Sequence, residues 1–397
     1  MANLNYSRKI DAVILAGGKS RRLKGLIGNH CKPMVKIYKN IRFLDYLLNY
    51  ICKFDLNKIY IIAGYKGNEI YKKYNNTNIN LIPIECTIEK KPLGTGGALS
   101  LIKNKISQKF LVFNGDSIFN LDLNKIINHN LNKKKSFLAI TNNKNYKSNR
   151  TLFGLKIKKQ IIFKSKKSNL INGGVYFLNK SLIKKLPERY LSLENDIIEK
   201  EIKKKKVIGK YFNNFFLDIG TPSNLKLAKK IIPAIFRKPA VFLDRDGTIN
   251  YDNGYTYKIN DFKIIPGTIK KLKELSKKEY YIFIVTNQAG IAKGHFETRD
   301  FIKLHKYIKK IMIKKKIYIN DVKFCPMHHQ AKIKKYRKKT KFRKPGNLMI
   351  KEILKRWDIN LKSSVMVGDK ISDYKCAKKS KIKFYYLKNN LNNTLSN

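Results

Sequence analysis

Val241-Phe242-Leu243-Asp244-Arg245-Asp246-Gly247-Thr248 runs from apolar residues into two aspartates, one residue apart, and then a glycine. The apolar run reads as a buried strand, and alternation along an extended chain sends both carboxylates to the same side. Placed so, they suit phosphoryl transfer: together they hold Mg²⁺ while one attacks phosphorus and the other moves a proton. A lone Asp-x-Asp is as readily a solvated turn, so the reading depends on what the rest of the chain supplies.

Three further pieces agree with it. Thr286-Asn287-Gln288 close the apolar strand Tyr281 to Val285, and Arg343-Lys344-Pro345-Gly346 precede a helical stretch. Gly368-Asp369-Lys370 end the strand Val365 to Val367, with Asp373 four residues beyond Asp369. An enzyme that takes phosphate from an alcohol needs a nucleophile, an acid for the leaving oxygen and a cation for the phosphate. It also needs a hydroxyl or amide to orient that phosphate, and acidic ligands for Mg²⁺. All of these residue types are present.

In that order, over roughly 239 to 388, these pieces resemble the haloacid dehalogenase superfamily. Within it they are most similar to the branch of D-glycero-D-manno-heptose 1,7-bisphosphate and histidinol phosphatases. The resemblance implies that Asp244 forms an aspartyl-phosphate and that Asp246 protonates the leaving oxygen and then activates water. It implies that Thr286 and Lys344 hold the phosphate, that Asp244, Asp369 and the backbone carbonyl of Asp246 bind Mg²⁺, and that Asn287, Gln288, Arg343 and Lys370 line the substrate. Members of the branch commonly hold a loop Zn²⁺ with Cys-x-His and Cys-x-Cys. Here Cys325-Pro326-Met327-His328-His329 and Thr340-Lys341-Phe342 stand in those places. They fall short of four ligands, so a structural Zn²⁺ is not expected. Cys325 reads as a packed thiol, and His328 and His329 as loop residues.

At the other end of the chain, Ala12-Val13-Ile14-Leu15 is a second apolar strand, followed by Ala16-Gly17-Gly18-Lys19-Ser20-Arg21-Arg22-Leu23. Gly17 and Gly18 let backbone amides approach phosphate oxygens, and Arg22 and Lys32 can neutralise a triphosphate. A second glycine-rich turn, Leu93-Gly94-Thr95-Gly96-Gly97, suits close approach by a flat base. The strand Leu111 to Phe113 ends in Asn114-Gly115-Asp116-Ser117, and Phe216-Leu217-Asp218-Ile219-Gly220-Thr221-Pro222 adds another aspartate. Asp116 and Asp218 are candidates to meet around one Mg²⁺.

This constellation, over roughly 10 to 230, resembles the sugar-1-phosphate nucleotidyltransferases, particularly the D-glycero-α-D-manno-heptose 1-phosphate guanylyltransferase group. Asn172-Gly173-Gly174-Val175-Tyr176 and Ser192-Leu193-Glu194 stand in that group's order. The resemblance puts the nucleoside triphosphate on Gly17, Gly18, Arg22 and Lys32, with the base beside Gly94 and Gly97. It puts Mg²⁺ on Asp116 and Asp218, sugar contacts on Gly174 and Glu194, and the sugar phosphate near Lys166. The implied reaction is in-line attack of a sugar 1-phosphate oxygen on the α-phosphorus, with pyrophosphate leaving. The chain departs from the pattern where Gly18-Lys19-Ser20-Arg21-Arg22-Leu23 replaces Gly-x-Gly-Thr-Arg-Leu, and where Cys31 replaces a proline before Lys32.

At 397 residues the chain is too long for one ordinary core. Its apolar strands alternate with lysine-rich helical stretches, which predicts an α/β protein of two domains. Each is expected to be a mainly parallel sheet with helices on both faces, the N-terminal one Rossmann-like and nucleotidyltransferase-like, the C-terminal one haloacid dehalogenase-like. The segment Lys229 to Pro239, with two prolines, reads as the boundary, giving domains 1-233 and 234-397. Tyr74 to Asn80 and Asn142 to Arg150 read as surface loops, and Asn389 to Asn397 as a frayed end.

The net charge of +59 would ordinarily suggest nucleic acid or an anionic membrane as partner. Lysine is spread along the whole chain, however, and reads as a solvated surface; neither a specific nucleic acid nor a membrane is expected. Five scattered cysteines fit a reducing compartment. No stretch of about eighteen uninterrupted apolar residues occurs, and Met1 to Tyr6 lacks the apolar segment of a signal peptide, so a cytoplasmic location is expected.

The two halves make chemical sense together. Removing the 7-phosphate of a heptose 1,7-bisphosphate leaves a heptose 1-phosphate, which a nucleotidyltransferase can join to a nucleotide from GTP or another nucleoside triphosphate. Two alternatives stand beside this bifunctional reading. One is a histidinol-phosphate type phosphatase fused to a mannose- or glucose-1-phosphate nucleotidyltransferase; the other is a basic nucleic-acid-binding protein with spent catalytic domains.

Overall fold

Runs of isoleucine, valine, leucine and phenylalanine too short for a helix bury both faces of a strand, and such strands organise both halves of the molecule. The structure is a computed structural model describing residues 9–23, 25–142, 154–165 and 168–395. Contacts divide the chain into two units, one drawn from residues up to Ile231, the other from Ile232 onward together with 51–55 and 79–81.

The strands of the first unit, in chain order, begin with β1 Ile10–Ala16, β2 Ile59–Ala63, β3 Thr77–Ile79, β4 Ile82–Ile88, β5 Lys109–Asn114 and β6 Ser117–Phe119. They continue with β7 Ser136–Asn142, β8 Leu155–Lys158, β9 Ile161–Lys164, β10 Leu170–Asn179, β11 Val207–Tyr211 and β12 Phe216–Asp218. Ten of them form one sheet in the order β8-β9-β11-β7-β10-β5-β1-β2-β4-β3. The centre, β5-β1-β2-β4, is parallel, whereas β10 runs antiparallel to both β5 and β7. The sheet is therefore rich in parallel pairs but mixed. Because β1 has β2 on one side and β5 on the other, the chain direction switches around it, opening a crevice at its carboxyl end. β6 and β12 form a separate antiparallel ladder that sets Asp218 opposite Ser117.

The second unit contains β13 Ala240–Leu243, β14 Tyr281–Asn287, β15 Ile319–Cys325, β16 Val365–Gly368 and β17 Lys383–Tyr386, all parallel, in the order β15-β14-β13-β16-β17. The first strand in sequence is central, so the topological switch again lies above its carboxyl end, where Asp244 begins. Phe242, Phe283, Met349, Ile353 and Trp357 pack together on one face of this sheet.

The helices used below are α1 Asn68–Tyr74, α2 Pro222–Phe236, α3 Thr298–Lys314 and α4 Ile371–Lys379. The segment read as the boundary, where the contact division also falls at Ile231/Ile232, is helical over most of its length. Leu225, Ala228 and Ile232 are buried at helical spacing, and that apolar stripe carries the helix through Pro233 to Phe236. Tyr74 to Asn80 is likewise not a surface loop. Tyr74 is buried with its hydroxyl donating to Asp45 at 2.9 Å, and β3 follows. The end of the chain is capped rather than frayed as far as Leu395. Leu391 is buried, and the Asn390 side chain accepts from the Asn393 amide at 3.0 Å, closing a short helix Leu391–Thr394. Asn142 is the last described residue of the other expected loop, and 143–150 lie outside the described residues. No helix among the described residues is long and apolar enough to cross a membrane.

Candidate active sites

In the second unit the carboxyl ends of β13, β14 and β16 surround a cavity of about 520 Å³. Asp244, Asp246, Thr286, Asn287, Gln288, Arg343, Lys344 and Lys370 all line it. At its floor Lys344 is 2 % exposed, and its ammonium lies 3.0 Å from Asp244 Oδ2 and 2.6 Å from Asp373 Oδ1. Burial alone would push Lys344 down, but the two carboxylates outweigh it and hold the ammonium above its ordinary range. Burial raises Asp244, Lys344 opposes that, and the Asp373 charge adds to it. Lys344 is oriented from behind: its amide donates to Asn287 Oδ1 and its carbonyl accepts from Asn287 Nδ2, both at 3.0 Å.

Asp246 is held by four donors. Arg245 Nε and Nη2 grip its two oxygens at 2.9 and 2.7 Å, Asn250 Nδ2 donates to Oδ1 at 3.0 Å, and Gln288 Nε2 donates to Oδ2 at 2.9 Å. Arg245 is fully buried; it also donates to the Thr256 carbonyl at 2.7 Å and lies over the Phe301 ring on α3. Gln288 Nε2 also donates to Thr286 Oγ1 at 3.0 Å, so most of its polar reach is spent on Asp246 and Thr286 rather than on open space.

Carboxylate oxygens of Asp244, Asp369 and Asp373 lie within 4.8 Å of one another, the one such group among the described residues with the makings of a metal site. Lys344 lies against Asp244 and Asp373, and Lys370, shared with Asp252, is 3.8 Å from Asp369, so four carboxylates against two ammoniums leave an excess of negative charge, and hard oxygen donors are what Mg²⁺ takes. The donor set fits the ion. Gly247, at φ +79°, makes this approach possible, since a Cβ there would stand 2.7 Å from Asp369 Cγ. Burial raises Asp369, while Lys370 opposes that. Lys370 itself is paired with Asp252 at 3.0 Å across the mouth. Cys325 is buried at the end of β15 with its thiol 3.9 Å from the Met327 carbonyl. His328 and His329 stack on one another, and His328 lines the cavity.

In the first unit a cavity of about 630 Å³ opens at the carboxyl ends of β1 and β5, lined by Gly17, Gly18, Lys32, Gly94, Asp116 and Glu194 among others. Lys32 Nζ reaches Asp116 Oδ2 at 2.8 Å. Asp218 lies just beside: the Ile219 amide donates to the Asp116 carbonyl at 2.9 Å, and Asp218 Oδ1 accepts from the Gly220 amide at 2.8 Å and from Asn224 Nδ2 at 3.2 Å. The β6–β12 ladder is what joins two residues a hundred positions apart. Arg22 is exposed, and its guanidinium lies near Gly220. Glu194 is buried and bound by Tyr176 OH at 2.7 Å and Thr95 Oγ1 at 2.8 Å.

Three glycines have reasons on the protein side. Gly94, at φ +69°, would place a Cβ 2.5 Å from the Leu191 carbonyl oxygen. Gly97 packs on the Arg189 carbonyl, which leaves it no room for a side chain and keeps it out of the cavity lining. Gly174, at φ +73°, abuts the Asn114 side chain, which does line the cavity. Lys166 lies outside the described residues.

Two functional positions escaped sequence reasoning. Arg245 sits between the two aspartates, and nothing in the sequence says that its guanidinium folds inward. Asp373 was visible only as a fourth carboxylate at helical spacing from Asp369; the structure makes it both the third residue of α4, whose side chain accepts from the N-cap Lys370 amide at 3.1 Å, and the second partner of Lys344.

Fold and sites together define a two-part phosphate-handling enzyme, with carboxylates and a lysine at the switch point of each sheet. The family described as nucleotidyl transferase matches residues 11–233, and that described as haloacid dehalogenase-like hydrolase matches residues 314–387. The D-glycero-alpha-D-manno-heptose 1-phosphate guanylyltransferase of Aneurinibacillus thermoaerophilus is 33 % identical over 228 residues, 56 % of this chain and 97 % of that protein. The D-glycero-beta-D-manno-heptose-1,7-bisphosphate 7-phosphatase of Photorhabdus laumondii subsp. laumondii is 39 % identical over 144 residues, 36 % of this chain and 77 % of that protein. The crystal structure of HddC from Yersinia pseudotuberculosis is 29 % identical, with 56 % of this chain and 99 % of that chain covered, at a TM-score of 0.48. The chain belongs to the nucleotidyl transferase family and, in its C-terminal part, to the haloacid dehalogenase-like hydrolases.

Proposed function

We propose that the protein carries out two successive steps in the synthesis of a nucleotide-activated heptose. The C-terminal site removes the 7-phosphate of D-glycero-D-manno-heptose 1,7-bisphosphate. The N-terminal site joins the resulting heptose 1-phosphate to GMP from GTP. The observation that carries the first step is the buried group at the end of β13, where Lys344 draws Asp244 and Asp373 together beside a fixed Asp246.

In the phosphatase step an Asp244 oxygen attacks phosphorus as the bond from phosphorus to the sugar oxygen breaks, and Asp246 supplies the proton to that oxygen. Asp246 then takes a proton from the water that hydrolyses the aspartyl-phosphate. Thr286 and Lys344 hold the phosphate, while Asn287, Gln288, Arg343 and Lys370 shape the rest of the cavity. Mg²⁺ held by Asp244, Asp369 and the Asp246 carbonyl would neutralise phosphate charge when bound.

In the transferase step Gly17, Gly18, Arg22 and Lys32 take the triphosphate, and Gly94 gives the base a close approach. Glu194 and Gly174 would meet the sugar, the family resemblance assigns its phosphate to Lys166, and Asp116 and Asp218 would hold Mg²⁺, which would neutralise phosphate charge when bound. A sugar phosphate oxygen attacks the α-phosphorus and pyrophosphate leaves, so the chain's task is alignment and charge neutralisation. Consecutive chemistry and relatives named for each activity support the reading.

The test is direct. Purified protein given the bisphosphate, GTP and Mg²⁺ should release phosphate and pyrophosphate and form GDP-heptose. Failure to release either leaving group would refute the proposal, and release of phosphate from histidinol phosphate in place of the bisphosphate would redirect it.

A further inference from the structure

Residues 25–31, between the glycine loop and Lys32, form neither strand nor helix. A segment of that kind cannot by itself fix where a long lysine side chain points. Yet three consecutive residues of it are gripped by Lys66, in the turn before α1, and by Glu69 in its first turn. Lys66 Nζ donates to Asn29 Oδ1, His30 Nδ1 lies 2.6 Å from Glu69 Oε1, and Cys31 Sγ lies 3.9 Å from Glu69 Oε2. Burial, then the Glu69 charge itself, pushes the Cys31 thiol up to about 12, so it remains an S–H donor to that carboxylate. Immediately beyond the grip, Lys32 opens a short 3₁₀ turn and its ammonium enters the cavity against Asp116.

We infer that Glu69 is a positioning residue for the transferase: it clamps His30 and Cys31 so that Lys32 is presented to the triphosphate. The inference rests on the reading of Lys32 as a triphosphate ligand. It also explains how the segment is restrained without a rigid residue before Lys32. Cys31 has φ −76° and ψ 156°, an extended conformation whose φ a proline ring would impose covalently. In this chain a bonded carboxylate supplies that restraint from a neighbouring helix.

Full-length protein carrying Glu69→Ala, Lys32→Ala, both together, and Glu69→Ala with Cys31→Pro tests this. kcat and KM for GTP would be measured with heptose 1-phosphate; phosphate release from the bisphosphate by the same preparations reports on the second unit, and far-UV circular dichroism with a thermal melt reports that the first unit is folded. Glu69→Ala is expected to lower kcat/KM for GTP about tenfold, and adding it to Lys32→Ala should cost nothing further, because a misplaced lysine and a missing one are equivalent. Cys31→Pro should return the Glu69→Ala protein to within about threefold of wild type. Unchanged kcat/KM in Glu69→Ala overturns the inference. So do losses that multiply in the Lys32→Ala background, which mark a general structural role, and a Glu69→Ala defect untouched by the proline. If Lys32→Ala alone has no effect, it is the assignment of Lys32 that fails, whatever Glu69 does.

Discussion

Replacing Lys344 by methionine keeps most of the side-chain volume and removes the one positive charge between two buried carboxylates. Asp373 is 0 % and Asp244 6 % exposed, so neither can recover its lost partner from water. Breaking such a buried pair from one side costs about 3–5 kcal/mol, and with a urea m-value of about 2 kcal/mol per M for a domain of this size the midpoint should fall by about 1.5–2.5 M. The chain contains a single tryptophan. Trp357 is buried in the second unit, with ring centroids 4.9 Å from Tyr281 and 5.2 Å from Phe283, so its fluorescence follows unfolding of that unit alone. Adding Asp373→Asn should return part of the loss, at least about 1 kcal/mol, because one of the two stranded charges becomes a neutral amide. A midpoint for Lys344→Met within about 0.3 M of wild type, well inside the expected shift, would mean that the lysine does not hold these carboxylates together.

Asp244→Asn should abolish phosphate release while leaving nucleotidyl transfer from preformed heptose 1-phosphate intact, and Asp116→Ala or Asp218→Ala should do the reverse; one change silencing both reactions would break the assignment of separate sites. Gly94→Ala forces a Cβ toward the Leu191 carbonyl at positive φ and should cost about 1–3 kcal/mol of first-unit stability and lower transfer, with phosphate release as the unaffected control. Removing divalent ions with EDTA should stop phosphate release, and Mg²⁺ should restore it. Burial, then the nearby Arg245 charge, holds His305 well below the ordinary histidine range. A depressed folded value means that its stabilising contribution is complete above about pH 6.5 and fades as pH falls below that, by up to about 1.4 kcal/mol per pH unit. Trp357-monitored unfolding of His305→Gln should therefore depend less steeply on pH between 7 and 5 than wild type, and equal slopes would remove His305 from that account.

Much of the architecture was legible because parallel strands buried on both faces must be continuous apolar runs, and the groups that end such runs sit at the carboxyl edge of a sheet. Tyr281 to Val285 and Val365 to Val367 announce their strands, and Thr286, Asn287 and Asp369 follow by position alone. Long-range closure was less visible. The antiparallel β10 between β5 and β7 turns a mainly parallel sheet into a mixed one, through pairing that no local pattern encodes. Pro233 reads as a breaker, but the stripe of Leu225, Ala228 and Ile232 outweighs one missing amide. Buried charge was the least visible of all. Arginine is normally a surface residue, so an Arg245 with no exposure, spending its donors on Asp246 and Thr256, emerges only when the turn around it is built.

The two cavities share a physical arrangement that bears on how each meets its substrate. In both, a lysine at the strand ends pairs with an aspartate: Lys32 with Asp116 at 2.8 Å, and Lys344 with Asp244 at 3.0 Å. An empty carboxylate cluster repels itself, and a lysine in an empty phosphate pocket has no counter-charge; pairing the two relieves both costs at once. A phosphate arriving with a divalent ion would exchange one set of contacts for another, the lysine turning to phosphate and the carboxylate to metal. The degree of burial sets how far that exchange can go. Lys32, 14 % exposed at its side chain, has room to swing from Asp116 to a triphosphate, whereas Lys344, 1 % exposed and held also by Asp373, must keep its place and let the phosphate come to it. A larger, planar charged head should therefore be tolerated better at the first site than at the second: Lys32→Arg is expected to retain measurable transfer, and Lys344→Arg, with no space for that head between two buried carboxylates, to lose phosphate release as completely as Lys344→Met.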